Sequence, residues 1–293
     1  MAQIVSSFCS SHAPMMLAAT DAADSEQSQR FFAGVARAAE QARLSGAQAV
    51  VIVSNEHFTN FFLENFPQIC IGVGESHVAP VERWLGLEPG NIPGHPQLGS
   101  DIAEGLLTRG FDPSFSHQLR LDHGVVSVYH QLSKAIDIPL IPILQNCAVP
   151  PMQPLRRCYE MGAALRLAIE ASTSVEKVAL VGTGGISHWV GHERSGEIDV
   201  DFDAWFLERF TLGDFEEIFQ LTDEQLEEAG NGAHEIRSWV TVAGAFPERT
   251  PEILSYEAIK PWLTGMAVAS FDRTFKSSHD LLTAGGIRGA HFE

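Results

Sequence analysis

Apolar runs of strand length alternate with segments of helical periodicity along most of this chain of 293 residues. The run AQAVVIVSN (47–55) is continuous and rich in β-branched residues, which is typical of a strand buried on both faces of a sheet. Before it, residues 25–46 place apolar side chains on one helical face and end at Gly46. This alternation predicts a single α/β domain with a largely parallel or mixed central sheet flanked by helices.

The same pattern predicts the other elements of the domain. Further strands are expected at 2–9, 68–74, 138–146 and 176–182, and further helices at 99–110, 123–135, 154–172, within 200–230 and at 233–246, with a last element near 253–270. A serine N-cap is expected for the helix 99–110, and the Pro- and Gly-containing segment 75–97 is expected to be a long loop. We expect one α/β domain over residues 1–280 and a mobile tail over 281–293.

The charge and cysteine content exclude several classes of partner. The chain has 19 basic and 37 acidic residues, a formal net charge of -18, which disfavours binding to nucleic acid and to anionic membranes. Its four cysteines lack C-x-x-C spacing and suit a reducing cytosol. The N-terminus does not read as a signal peptide, and no run approaches the roughly 18 to 20 apolar residues of a membrane helix. These features predict a cytoplasmic protein.

Three of the twelve histidines follow predicted strands. His12, His57 and His188 come just after the strands 2–9, 47–55 and 176–182. Because ligands of open α/β sheets bind beyond the carboxyl ends of the strands, these side chains are expected to converge on one site there. Any one of them alone reads more simply as a loop residue or a hydrogen-bonded core histidine. The shared placement favours function.

His123 and Glu235 are two further candidates. His123 precedes the predicted helix, where the positive end of the helix dipole favours a neutral imidazole that can donate or accept a proton. An equally good interpretation is that Asp122 simply caps this helix. Glu235 shares an apolar helical stripe with Trp239 and Val242, so its carboxylate must be paired, protonated or bound to a metal, unless it reaches water at the edge of that face.

His12, His57 and Glu235 together would form a set of two histidines and one carboxylate. Such a facial triad leaves open positions on a non-haem Fe(II), so that a substrate and O2 can bind side by side. The turn VGTGGISH (181–188) lacks the Lys and Ser or Thr of a phosphate-binding loop and does not match the G-x-S-x-G nucleophile motif. It is therefore expected to present His188, with Ser187 as a hydrogen-bonding neighbour.

Six motifs in order resemble those of one enzyme family across nearly the whole chain. They are SSHAP around 11–14, VSNEHFTNFF (53–62), LDHGVV (121–126), VGTGGISH (181–188), AHEIRSW (233–239) and KPWLTGM (260–266). The sequence resembles the class III extradiol ring-cleavage dioxygenases, the group that includes the protocatechuate 4,5-dioxygenase β subunit and 2,3-dihydroxyphenylpropionate 1,2-dioxygenase. The segment IKPWLTG, with Trp262, is more similar to the second type, which needs no second kind of subunit.

The resemblance implies a role for each candidate residue. His12, His57 and Glu235 would be the metal ligands for Fe(II), and His188 and His123 the catalytic acid/base pair. The substrates would be a catechol and O2, the aromatic ring would be cut beside the diol to give a hydroxymuconic product, and the protein would act in aromatic catabolism as a homo-oligomer.

Other functions remain open from the sequence. The same iron site could cleave a 2-aminophenol, or the same ligands could hold zinc in a metallohydrolase. In a different class, the chain could be a non-catalytic, metal-binding interaction protein of the same fold.

Overall fold

The computed structural model describes residues 1–272 of the chain. Both the predicted end of the domain at residue 280 and the predicted mobile tail, 281–293, lie outside these described residues.

One large mixed sheet organises the described part of the chain. Its eight strands lie in the order β6-β3-β7-β2-β8-β1-β10-β9, and β4 and β5 form a separate two-stranded sheet. The strands are β1 (Gln3–Ser10), β2 (Ala49–Asn55), β3 (Ile69–Gly72), β4 (Ser76–Ala79), β5 (Gly90–Pro93), β6 (Ser114–Ser116), β7 (Leu140–Gln145), β8 (Lys177–Thr183), β9 (Glu252–Ile259) and β10 (Thr264–Ser270). The central strands β7, β2, β8 and β1 are mutually parallel, so their carboxyl ends lie at one edge.

Helices cover both faces of this sheet. They are α1 (Met15–Ala18), α2 (Ser25–Ser45), α3 (Pro96–Leu107), α4 (His123–Ser133), α5 (Leu155–Ala171), α6 (Val200–Leu212), α7 (Phe215–Ile218), α8 (Asp223–Glu228) and α9 (Ile236–Gly244). Helices α3, α5, α6 and α9 contribute to one hydrophobic core, whereas α2 and α4 contribute to the other. The predicted α/β fold with a mixed central sheet is confirmed.

Strand β2 shows why a continuous apolar run is needed at the centre of the sheet. Val51 and Val53 lie in the core shared with α5 and α9, and Val50 and Ile52 lie in the core shared with α2 and α4. All four side chains are fully buried. Because successive residues of a strand face opposite sides, only a strand without alternation can fill both cores.

The segment before α3 differs from its prediction. The expected loop 75–97 contains the antiparallel pair β4 and β5, which lies apart from the main sheet. Helix α3 begins at Pro96 rather than near residue 100, and its N-cap is His95, whose Nδ1 accepts a hydrogen bond from the Leu98 N–H. The predicted serine cap is therefore wrong. Proline is well suited to the first helical position, so the helix begins earlier in the chain than expected.

The C-terminal part of the described chain also refines the prediction. The predicted helix 233–246 is a 3-10 turn, Ala233–Glu235, followed by α9, and the last element is the antiparallel pair β9 and β10. In the described part of the chain no helix is both long enough and apolar enough to cross a membrane.

Candidate active site

Three histidines stand at the carboxyl ends of neighbouring parallel strands. His12 follows β1, His57 follows β2 and His188 follows the Gly-rich turn after β8, the strand that lies between the other two. Because β8 pairs in parallel with both neighbours, the chain leaves all three strands on the same side of the sheet. The convergence expected from the sequence is therefore present in the structure.

The carboxylate of Glu235 lies at the centre of these histidines. Its Oε2 is 3.3 Å from Nε2 of His12, and its Oε1 is 3.4 Å from Nε2 of His57 and 3.4 Å from Nε2 of His188. The 3-10 turn before α9 carries Glu235 into the site, whereas the neighbouring His234 points away and contacts Glu227 and Arg237. Three of the predicted histidines thus meet at the carboxylate of the predicted Glu235.

His12 is held with one nitrogen free. Its Nδ1 lies 2.9 Å from Oγ1 of Thr183, whose hydroxyl can donate to the carbonyl of Gly124 and accept from an Nδ1–H. Nε2 is then an unprotonated, buried acceptor without a hydrogen-bond partner. Burial lowers the pKa of His12 to about 3 despite the nearby Glu235, so the ring is neutral at pH 7.

His57 lies between two carboxylates. Its Nδ1 is 3.2 Å from Oδ2 of Asp122, and its Nε2 is 2.6 Å from Nδ2 of Asn55, which also donates to Glu235. Burial alone would lower the pKa of His57, but Asp122 and Glu235 together raise it well above its ordinary value. Asp122 is the kind of partner that commonly orients a metal-binding histidine.

Glu235 is ionised although it is buried. Burial would raise its pKa, but the surrounding His12, His188 and His57 lower it well below its usual range. The carboxylate also accepts hydrogen bonds from the backbone N–H of Gly185, at 2.5 Å, and from Asn55, at 3.0 Å. The site therefore holds a negative charge that needs a cation or protons among the facing imidazoles.

His123 lies against the other histidines at the start of α4. Its ring stacks on that of His57 with 4.2 Å between centroids, and its centroid is 5.5 Å from that of His12. Asp122 caps α4 by accepting the N–H of Gly124, so the two interpretations of this motif are compatible. A carboxylate from a distant segment, Glu82, contacts Nδ1 of His123 at 2.7 Å.

The Gly-rich turn presents His188 in a narrow slot. A Cβ on Gly185 or Gly232 would lie 2.6 Å or 2.1 Å from ring atoms of His188, so the two glycines pack directly against the ring. Nδ1 lies 3.2 Å from the carbonyl of Ile186 and can donate to it, which directs Nε2 to the site. Burial lowers and Glu235 raises the pKa of His188, with a net rise above its ordinary value.

The other motif residues make packing and hydrogen-bond contacts outside the histidine cluster. The Ser187 hydroxyl is buried, accepts a hydrogen bond from the Asp199 N–H and donates to the Asp199 carbonyl, as expected for a neighbour rather than a nucleophile. Arg194 covers the buried Trp189 at 3.9 Å, and Trp262 packs against the phenylalanines of α2. Lys260 is exposed.

Sequence reasoning missed three residues that orient the candidate ligands and bases. They are Asn55, Glu82 and Thr183. Asn55 and Thr183 end their strands, so their position at the carboxyl edge was a usable signal. Glu82 lies in a segment predicted only as loop and gave no signal.

The donor set fits a divalent metal ion. Nitrogen atoms of His12, His57 and His123 lie within 4.8 Å of one another, and the Glu235 contacts are 3.3–3.4 Å. Donor atoms bound to one metal at about 2.1 Å lie roughly 3 Å apart. Nε2 of His12, an acceptor without a hydrogen-bond partner that faces a carboxylate oxygen, would be satisfied by a bound cation.

Comparison with known proteins decides the family. The family model described as the catalytic LigB subunit of aromatic ring-opening dioxygenase matches residues 6–267. The chain belongs to this family. The resemblance to the class III extradiol dioxygenases is thereby confirmed, and the protein is an enzyme of the ring-opening dioxygenase type.

Relatives of this LigB family member carry one recurrent name. Proteins named 2,3-dihydroxyphenylpropionate/2,3-dihydroxicinnamic acid 1,2-dioxygenase are similar to it in Cupriavidus necator (26% identical, covering 79% of this chain and 87% of the relative) and in Photorhabdus laumondii (26%, covering 89% and 95%). A crystal structure of an uncharacterized protein from Escherichia coli K12 superposes with a TM-score of 0.56 at 16% identity, over 92% of this chain and 100% of that one, and shares its fold.

Proposed function

We propose that the protein is a non-haem Fe(II)-dependent extradiol dioxygenase that cleaves a catecholic ring next to the diol, with O2, to a hydroxymuconic product. The observation that carries this proposal is the meeting of His12, His57 and His188 at the Glu235 carboxylate. Two histidines and a carboxylate at the end of a sheet form the donor set of oxygen-activating iron enzymes. The names of the relatives favour catechols with a carboxylated side chain as substrates.

In this proposal His12, His57 and Glu235 hold the metal. Fe(II), when bound, supplies adjacent open positions for the catechol and O2 and a path for electrons between them. Thr183 fixes the His12 tautomer with Nε2 free, and Asp122 orients His57. His123 lies beside this set, and because its Nδ1 contacts Glu82, its Nε2 is left free at the site; in this proposal it transfers protons.

Two imidazoles move protons in this proposal. Nε2 of His188 accepts a phenolic proton, since Nδ1 is directed to the Ile186 carbonyl and the ring is fixed between Gly185 and Gly232. Nε2 of His123, the ring nitrogen that Glu82 does not contact, accepts a proton from the bound substrate and returns it as the ring opens. Both imidazoles are largely buried, so bulk water does not replace them as proton donor or acceptor.

The proposal also covers the cellular compartment and the partners of the enzyme. The acidic net charge and the four free, buried cysteines support a cytoplasmic protein that needs neither nucleic acid nor membrane. Because one chain supplies all five groups, we propose that no second kind of subunit is needed. By analogy with the family we also propose a homo-oligomer, with residues 1–280 as the catalytic domain of each chain.

Anaerobic loading with Fe(II) followed by a substrate panel tests the function. The panel contains 2,3-dihydroxyphenylpropionate, protocatechuate, gallate, a 3-alkyl catechol and 2-aminophenol, with O2 uptake and the yellow product recorded. We expect equimolar O2 uptake and product with at least one catechol, and none after loading with Zn2+. Turnover of 2-aminophenol alone would replace the catechol assignment, and silence toward the whole panel with iron bound would refute the enzymatic proposal.

Metal binding by variants tests the ligand set. We expect Glu235→Gln to lose most of its Fe(II) affinity, whereas His123→Gln retains it. The reverse result would show that His12, His57 and His123 bind the metal instead.

A further inference from the structure

Glu82 makes a two-point contact with His123. Its Oε1 lies 2.7 Å from Nδ1 of the His123 ring, and its Oε2 accepts the His123 backbone N–H at 2.5 Å. The two side chains are largely buried, with 14% of His123 and 18% of Glu82 exposed. A carboxylate accepts hydrogen bonds and cannot donate them when ionised, so Nδ1 must carry the proton of this contact.

The chain around Glu82 is held in place by backbone hydrogen bonds. The N–H of Val81 donates to the carbonyl of Leu121, and the N–H of Leu121 donates to the carbonyl of Val78. The segment before Glu82 is therefore fastened to the segment that leads into His123. This pairing sets the carboxylate at a fixed distance from the ring.

Capping of α4 does not account for the contact between Glu82 and the His123 ring. Asp122 already caps this helix through the N–H of Gly124 at 2.9 Å. Glu82 comes from a segment 41 residues earlier and engages the imidazole as well as the backbone. The contact with the ring is thus a separate feature of the site.

The contact determines which nitrogen of His123 faces the site. With Nδ1 held by Glu82 and one face of the ring stacked on His57, Nε2 is the nitrogen left for the shared centre. Rotation of the ring by half a turn would break the Glu82 hydrogen bond. A hydrogen bond to one ring nitrogen commonly selects the tautomer of a functional histidine, and so leaves the other nitrogen for the site.

We infer that Glu82 is a positioning residue that keeps His123 in the Nδ1–H tautomer, with Nε2 directed into the site. Its effect on turnover rests on the proposed function, but its effect on the tautomer does not.

Nitrogen NMR of protein labelled with 15N-histidine, without metal and at alkaline pH, tests the tautomer. A His123→Gln variant identifies the His123 signals. We expect Nδ1 of His123 to be the protonated nitrogen in the native chain and this preference to be lost in Glu82→Ala. Glu88 is an exposed carboxylate in the same segment between β4 and β5, so Glu88→Ala should leave the His123 signals unchanged. An unaltered Nδ1–H tautomer in Glu82→Ala would overturn the inference.

Steady-state kinetics of the iron-loaded variants tests the consequence. We expect kcat of Glu82→Ala to fall roughly 10-fold to 100-fold with KM nearly unchanged, and Glu82→Gln, which keeps one acceptor oxygen, to lose less. Equal kcat in Glu82→Ala and Glu88→Ala would overturn the catalytic part. If the native enzyme is inactive, the proposed function fails, and the NMR result still decides the tautomer.

Discussion

The ionised Glu235 determines the charge balance of the residues around it. It raises the pKa of His188 against the effect of burial, whereas His12 remains neutral at pH 7 because burial outweighs the same carboxylate. Similar imidazoles a few ångströms apart thus differ in their affinity for protons. A neutral imidazole has a lone pair available for a metal ion, which is consistent with the proposed role of His12 as a ligand.

Replacing His188 by phenylalanine tests its role as the base. The phenyl group is also a flat ring for the slot between Gly185 and Gly232, but it has no atom that accepts a proton. We expect His188→Phe to bind Fe(II) as the native protein does and to lose about 10²-fold to 10⁴-fold in kcat. Iron content and single-turnover rates measure the two quantities, and a near-native rate would refute the assignment.

His77 is a buried histidine outside the active site. It is fully buried, and neither ring nitrogen has a hydrogen-bond partner among the described residues. Burial lowers its pKa to about 4 from an ordinary 6.5. The folded state therefore binds fewer protons than the unfolded state between these values, so the contribution of His77 to stability is complete above pH 6.5 and is lost as the pH falls toward 4.

His77→Leu should remove this part of the acid sensitivity. We expect the free energy of unfolding of the native protein to decrease relative to that of the variant by about 3 kcal/mol between pH 7 and pH 4. Urea unfolding at a series of pH values measures the difference. A difference that stays constant with pH would show that His77 does not titrate in this way.

At the scale of the elements, two glycine-containing turns fix the position of the His188 ring. Gly185 and Gly232 come from different segments, the turn after β8 and the turn before α9, and both pack against the ring of His188. The turn after β8 is anchored by Asp203, which accepts the N–H of Ser187 at 2.8 Å. The position of His188 therefore depends on two elements packing closely without intervening side chains.

Adding one methyl group at Gly232 tests this packing. A Cβ there would lie 2.1 Å from Nε2 of His188, so Gly232→Ala must displace the ring. We expect kcat to fall at least about tenfold, since small misplacements of catalytic groups are costly. Gly90→Ala is the matched control, because its Cβ would meet nothing within 4 Å. Equal kcat values for the two variants would contradict the role of this close contact.

At the scale of the whole molecule, the site joins distant parts of the chain. The candidate ligands come from the ends of β1 and β2 and from the turn before α9, so a bound metal ion would link segments at both ends of the described chain. A ligand that binds only the folded state stabilises it by about 2.7 kcal/mol at one hundred times its Kd.

Metal binding should therefore raise the thermal stability. We expect Tm to rise by roughly 5–10 °C when the metal-free protein is loaded anaerobically with Fe(II) at this excess, and to return after chelation. Differential scanning calorimetry measures the shift, with Glu235→Gln as the comparison. If this variant shows the full shift, Glu235 does not contribute to the metal site.

Much of the fold could be predicted because its signals are local. The buried run of β2 and the helix that ends at Gly46 were both readable from neighbouring residues, and the structure has them within two residues of the expected bounds. The pair β4 and β5 was missed, because its short strands form a sheet apart from the main core and lack a continuous apolar pattern.

The sequence by itself determined which residue types stand at the strand ends, and hence the convergence of His12, His57 and His188 with Glu235. The tertiary structure alone decided how these side chains are oriented. Thr183 selects the free nitrogen of His12 across 171 positions of sequence, and Glu82 engages His123 across 41. Such contacts depend on how loops dock, and no local pattern of apolar and polar residues encodes them. For this reason the candidate ligands could be read from the chain, whereas the tautomers that make them chemically useful could not.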